Sequence, residues 1–313
     1  MTFKVQFPDE TRDDEFVRQE DAFRDWISDK PDAEYPLEAG RYHLYVSLAC
    51  PWAHRTIITR LLRGLDRSVS MSVVDPIRDG RGWRFTEGPG HTLDPINGFA
   101  YLSEAYYLTE PGFRGRPTVP VLWDKKTKRI VNNSDDDIMR MFETVFDPLA
   151  TNDLDLYPHS HADEIDELNE LIYVTVNNGV YRAGFAGSQA AYERAAREVF
   201  KTLDMLEERL ATHRYLIGSI PLETDWRLFV TLVRFDPVYF GHFKCNLREI
   251  AQYPNLFGYL RDLYQVPGIA STVDFDQIKR HYYYTHDDIN PTRIVPIGPL
   301  EDLTAPSGRE RLP

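Results

Sequence analysis

The sequence predicts a chain in two parts, a small mixed α/β sheet domain followed by an all-helical bundle. Between residues 42 and 147, β-branched and aromatic runs are interleaved with helical stretches and include a hairpin. Residues 148–160 form a Pro- and Asp-bearing linker. Beyond it, apolar residues recur at helical spacing through four long stretches. The chain has 313 residues, 42% of them apolar and 13% aromatic, enough for two ordinary domains with real cores.

The elements follow in order. Residues 1–41 are polar and acidic, an extension with one expected helical patch over 16–27, carried by Phe16, Phe23, Trp26 and Ile27. Residues 42–48 read as a strand. Cys50-Pro51 then opens a helix with Ile57, Ile58, Leu61, Leu62 and Leu65 on one face, closed by Gly64 and Asp66. Val69, Met71 and Val73 alternate with serines as a second strand. Residues 76–117, rich in Gly and Pro, predict a long loop with short helical pieces, and loops of that length are usually functional. Residues 119–123 and 129–131 flank a polar turn as a hairpin, and 135–146 follow as a helix. With a right-handed crossover this order gives a sheet of the thioredoxin type. Helices are then expected over 162–176, 189–211, 226–239 and 256–264 as a bundle, residues 161–275. Residues 276–313 are an aromatic, proline-punctuated tail.

Composition excludes several functions. A net charge of −13 argues against nucleic acid and against an anionic membrane surface. The longest apolar stretch, residues 228–235, is too short to span a bilayer. No basic, apolar leader opens the chain, so a cytoplasmic protein is expected. Cys50 and Cys245 are then free thiols rather than a disulfide framework. His159 and His161 stand near Asp163 and Glu164, but without a further ligand pattern they read as linker histidines, so no metal is expected. Phosphate-loop, HExxH and dinucleotide motifs are absent.

The residues suited to chemistry begin with Cys50-Pro51-Trp52-Ala53, where a strand turns into a helix. Proline suits the first helical position, which leaves Cys50 at the N-cap. Unpaired N–H groups and the positive dipole end there favour a thiolate, and His54 and Arg55 add positive potential. The plain alternative is a buried structural cysteine. Because no CxxC partner exists, the resolving thiol must be a small molecule. Thr118-Val119-Pro120-Val121 places a proline at a strand start facing the cysteine, where a cis bond is expected to turn the Val119 backbone toward a bound thiol. Asn133-Ser134-Asp135-Asp136-Asp137 caps the next helix and is also placed to grip a polar ligand. Tyr181, in the glycine-broken segment 176–185, is either a core aromatic or faces a cleft with Tyr282 or Tyr283 as partner.

These motifs resemble those of the glutathionyl-hydroquinone reductases, the Xi class of glutathione transferases. The resemblance is carried by Phe16-Val17-Arg18, Phe23-Arg24-Asp25-Trp26-Ile27, Cys50 through Arg55, Val119 through Asp124, Asn177 through Phe185, Asp225 through Phe229, His281-Tyr282-Tyr283 and Asn290 through Pro296. It implies the glutathione transferase fold and a homodimer assembled through the helical domain. It implies a reaction in which Cys50 takes glutathione from a thiol-conjugated hydroquinone as a mixed disulfide. Glutathione is then a cosubstrate, and no cofactor is tightly bound. Tyr181 with Tyr282 or Tyr283 would serve the ring oxygens. Trp83, Val119, Pro120, Ser134 and Asp135 would hold the thiol.

Two departures stand out. The family has Glu-Ser where this chain has Ser134-Asp135, which sets a carboxylate against the α-carboxylate of glutathione and leaves mycothiol, a sugar-linked thiol, as an alternative. Leu222 stands where a hydroxyl cap is usual, so Thr224 is expected to cap instead. Two other readings compete: a general omega-like thiol transferase or dehydroascorbate reductase, needing Cys50 but not the tyrosines, and a non-catalytic scaffold.

Overall fold

The computed structural model describes residues 10–30 and 32–313. The chain forms two compact units. One comprises residues 19–154 with 276–281; the other comprises 1–18, 155–275 and 282–313.

The first unit is built on a four-stranded sheet in the order β4-β3-β5-β6. β3 (Tyr42–Val46) pairs parallel with β4 (Val69–Val73) and antiparallel with β5 (Val121–Asp124), which pairs antiparallel with β6 (Arg129–Asn132). All five residues of β3 are buried, as a central strand covered on both faces requires. α1 (Pro51–Leu62) links the two parallel strands and ends at Gly64, whose φ of +64° suits glycine. A Cβ there would also meet Thr151 Oγ1 at 1.9 Å. α2 (Ser103–Thr109) lies within the long loop, and α3 (Asp135–Glu143) follows the hairpin. Carboxylates organise that loop. Asp94 accepts from Tyr45 and from the amides of Ile96, Asn97 and Phe99, while Asp75 holds Ile77, Arg84 and Thr86.

The expected helix over 16–27 does not form. Glu15–Phe16 (β2) instead pairs with Thr11–Arg12 (β1) across Asp13 and Asp14, both at positive φ. Phe23 and Asp25 lie along the edge of β6: the Asn133 amide donates to the Phe23 carbonyl and the Asp25 amide to that of Val131. Their apolar neighbours are buried by sheet-edge pairing rather than by a helical face. Phe23 packs on Tyr106 and Phe113, and the Ile27 amide reaches Met141 Sδ.

The second unit is helical: α4 (Ala162–Ile172), α5 (Gly179–Gly184), α6 (Gln189–Leu210), α7 (Glu223–Arg234), α8 (Pro254–Tyr264) and part of α9 (Phe275–Thr285). The glycines of 176–185 do not break the helical path. A π-helical turn, Tyr173–Asn177, carries α4 into α5. A Cβ on Gly179 would press on Val199 at 3.0 Å and one on Gly184 would strike Phe243 at 2.2 Å, so both glycines serve close packing. A second π turn, Phe235–Tyr239, follows α7. The tail opens with α9 because Ile278 and Tyr282, four apart, bury one helical face before the prolines begin at Pro291. Thr224 lies inside α7 and does not cap it; its buried hydroxyl has no hydrogen-bond partner. Asp225 serves the helix start instead, accepting from the Leu222 amide at 2.8 Å. Among the described residues no helix is long and apolar enough to cross a membrane.

Candidate active site

In the sheet unit, Cys50 is the N-cap of α1, with φ −79° and ψ 123°, and Pro51 fills the first helical position. The thiol is half-buried and lies 3.7 Å from the Val119 carbonyl. The Val119–Pro120 bond is cis. A cysteine so placed sits where exposed amide donors favour the thiolate, the species that attacks sulfur. Cys245, in contrast, is wholly buried, and desolvation pushes its thiol up to about 12.

Ser134 caps α3, its hydroxyl accepting from the Asp137 amide at 3.5 Å. Asp135 begins the helix and meets Arg55 of α1. The guanidinium donates to Asp135 Oδ2 at 2.9 Å and to Asp136 Oδ1 at 3.4 Å, and lies 4.7 Å from the Trp52 ring. Arg55 is only 1% exposed. The positive charge read from the sequence as support for Cys50 therefore also joins α1 to α3. Asp137 is held by Arg24 at 2.5 and 2.7 Å and by Asn132 at 3.0 Å.

Trp83 is buried, its ring stacked on His281 at 4.8 Å and 23°. His281 donates from Nδ1 to the Pro76 carbonyl at 2.7 Å, which fixes the imidazole under the indole.

In the helical unit the tyrosines gather. Tyr181 of α5 and Tyr282 of α9 share a hydrogen bond of 2.5 Å between hydroxyls. A third, Tyr239 at the end of the second π turn, meets Tyr282 at 3.0 Å. Burial holds Tyr239 and Tyr282 well above the usual phenol range, so both remain protonated donors at neutral pH. Arg18 lies 4.9 Å from the centre of the Tyr181 ring and donates to Asn178 Oδ1 at 3.2 Å. Tyr283 stands apart from this chain of hydroxyls. Its own donates to the Pro237 carbonyl at 3.3 Å, and burial raises its pKa.

The structure thus groups Cys50 with Val119 and Pro120, Ser134 and Asp135 with Arg55, Trp83 with His281, and Tyr181 with Tyr282. Sequence reasoning missed Tyr239 and the links through Arg55 and His281. Tyr239 closed a run read only as helix, and the Arg55–Asp135 pair joins residues 80 positions apart. Among the described residues no group of three or more His, Cys, Asp or Glu is arranged to hold a metal.

A lone thiol at a helix start beside a strand-entry proline, on a sheet of this order and followed by a helical unit, defines a glutathione transferase-type protein. Comparison with known proteins agrees. The glutathione S-transferase N-terminal domain family matches residues 49–145 and the C-terminal domain family residues 189–262. Glutathionyl-hydroquinone reductase YqjG of Escherichia coli is 52% identical over 303 residues, covering 94% of this chain and 92% of its own. The glutathione-bound structure of YqjG superposes with a TM-score of 0.89 at 51% identity, covering 93% of this chain and 96% of that one. Glutathionyl-hydroquinone reductase PcpF of Sphingobium chlorophenolicum is 46% identical over 92% of this chain and 91% of its own. The Xi-class transferase of Natrialba magadii matches with a TM-score of 0.91 at 51% identity, over 93% of this chain and 89% of that one. The chain belongs to the glutathionyl-hydroquinone reductases, the Xi class of the glutathione transferases.

Proposed function

We propose that the chain is a thiol-dependent reductase that removes glutathione from glutathionyl-hydroquinones. The Cys50 thiolate attacks the sulfur of the aryl thioether. The new S–S bond leaves glutathione on Cys50, the carbon–sulfur bond breaks, and its electron pair stays with the ring carbon, which takes up a proton. A second glutathione thiolate attacks the mixed disulfide, releasing oxidised glutathione and restoring the Cys50 thiolate. The sum is adduct plus glutathione to hydroquinone plus oxidised glutathione, with no cofactor held between turnovers.

In this reading Val119, Pro120, Ser134, Asp135 and Trp83 hold the thiol, and Tyr181 with Tyr282 donates to the ring oxygens where charge develops. The observation that carries it beyond general thiol transfer is the Tyr181–Tyr282 pair, two phenols of which the more buried keeps its proton at neutral pH. Tyr282 rather than Tyr283 is the acting tail tyrosine, because Tyr283 gives its proton to a backbone carbonyl. Action in the cytoplasm and assembly as a homodimer through the helical unit belong to the same reading. The exposed Leu171, Val174 and Met205 of that unit support the dimer.

The test compares a glutathionyl-hydroquinone with a simple mixed disulfide. Cys50→Ser is expected to abolish both reactions and Cys245→Ser neither, with the thiol adduct found on Cys50 alone by intact mass. Tyr181→Phe should slow reduction of the aryl adduct roughly 10²-fold or more, as removal of an oxyanion donor does, and spare the disulfide. Equal losses on both substrates would favour the general transferase. Full activity in Cys50→Ser would sink the mechanism.

A further inference from the structure

We propose that Tyr239 is a positioning residue for the aryl-adduct reaction, fixing the direction in which the tyrosine hydroxyls donate. The inference rests on the role given above to Tyr181 and Tyr282. Its own support is geometric. Three phenols form a chain, Tyr239 to Tyr282 at 3.0 Å and Tyr282 to Tyr181 at 2.5 Å. Exposure rises along it, from 0% at Tyr239 through 1% at Tyr282 to 8% at Tyr181. The chain therefore runs from the interior of the helical unit toward its surface.

Each hydroxyl has one proton to give and can accept from others. At Tyr239 the choice is restricted. Its ring is stacked on Phe243 at 5.5 Å and 13°, and stands edge-on to Phe235 and to Tyr282. The hydroxyl is hydrogen-bonded to Tyr282, and the apolar rings around it offer no other acceptor. A buried O–H without an acceptor is costly, so Tyr239 donates into the tyrosine chain. With the Tyr282 oxygen already accepting from behind, its own proton points at Tyr181. Donation then runs outward, and each bond polarises the next.

The surrounding charges favour an electron-rich oxygen on this chain. Arg234, wholly buried on α7, acts on both Tyr239 and Tyr282 in the direction that lowers a phenol pKa, and Arg18 lies over the Tyr181 ring. The neighbouring imidazoles, His242 and His286, share a hydrogen bond of 3.2 Å, and burial takes His242 down to about 3, so it carries no charge at neutral pH. Tyr283, on the same helix as Tyr282, is turned to the Pro237 carbonyl.

Tyr239→Phe removes one oxygen and keeps the ring. The expected result is a kcat on a glutathionyl-hydroquinone lowered by roughly 5- to 30-fold, the worth of one hydrogen bond, with KM within about twofold. In a Tyr181→Phe background the same change should do almost nothing, because its effect passes through Tyr181. The basic limb of the kcat–pH profile should also move to higher pH in Tyr239→Phe, since a phenolate at Tyr181 loses part of its support. A merely structural role would lower the melting temperature, leave the pH profile in place, and persist in the Tyr181→Phe background; that pattern overturns the proposal. Unchanged kcat in Tyr239→Phe with a wild type that turns the adduct over overturns it alone. A wild type inert toward the adduct overturns the functional reading and this inference with it.

Discussion

Arg55 shows what a local reading reaches and where it stops. Its place four residues after Pro51 marks it as a cation near the start of α1, yet its guanidinium is directed at the carboxylates of Asp135 and Asp136. Cys50, Pro120 and Ser134 were legible because each owes its place to its immediate neighbours: a strand end, a proline, a helix start. Arg55, His281 and Tyr239 were not, because their partners lie on other elements. The pair also bears on which thiol is used. Two carboxylates already answer the Arg55 charge at the start of α3, and a ligand carboxylate arriving there meets repulsion. Asp135→Ser leaves Arg55 with Asp136 alone. It should lower the KM for glutathione several-fold while costing about 1–3 kcal/mol of stability, the loss of one charge-assisted bond. Kinetics with glutathione and with mycothiol decide the matter. If KM for glutathione rises instead, Asp135 already serves its ammonium group, and the case for mycothiol fails.

At the scale of elements, the strands and long helices were legible and three segments were not, each for a reason of packing. The 16–27 spacing is helical by pattern, but its apolar residues are satisfied along the β6 edge. The glycines of 176–185 read as breaks, whereas they let α5 approach α6 and Phe243. The tail tyrosines read as irregular, but they close a helix begun by Phe275. The cap of α7 is the clearest case of a buried group organising an element. The Asp225 carboxylate is wholly buried and accepts from the amides of Leu216 and Leu222 and from the Tyr259 hydroxyl, at 2.9, 2.8 and 2.7 Å. Asp225→Ala would leave these donors unpaired and should cost about 2–5 kcal/mol, read as a lower midpoint in urea with an unchanged slope. Asp225→Asn retains one acceptor and should cost less. A midpoint within error of wild type for the alanine variant would show that the cap does not hold α7.

For the whole molecule, the buried titratable groups set opposing demands on stability as pH falls. His43, between Ser70 and Ser72 in the sheet unit, is taken down to about 4 by burial, and His242 in the helical unit to about 3. Unfolded, both titrate near about 6.5. Folded pKa values below the unfolded one mean stability that is whole above about 6.5 and lost as pH falls toward the folded value. Asp225 and Asp236 behave in the opposite sense. Burial raises each to about 6, so the folded chain takes up protons before the unfolded one does, and stability grows as pH falls from about 6 toward 4. Each group contributes a slope of about 1.4 kcal/mol per pH unit inside its window. Between about pH 6 and 4, two slopes of each sign nearly cancel. Thermal stability should therefore change little across that range and fall below pH 4, where the histidine loss continues and carboxylates held low by partners, such as Asp124 beside Arg41, become protonated. Removing one histidine unbalances the pair of effects. His43→Gln should cost stability at pH 7 by loss of packing and of the fit to both serines, yet gain on wild type by up to about 3 kcal/mol as pH is lowered to 4. Melting curves of the two proteins at half-unit steps from pH 7 to 4 give the comparison. Curves that run parallel throughout would mean that His43 titrates alike in the folded and unfolded chain, and the assignment of the acid-sensitive slope to it would be wrong.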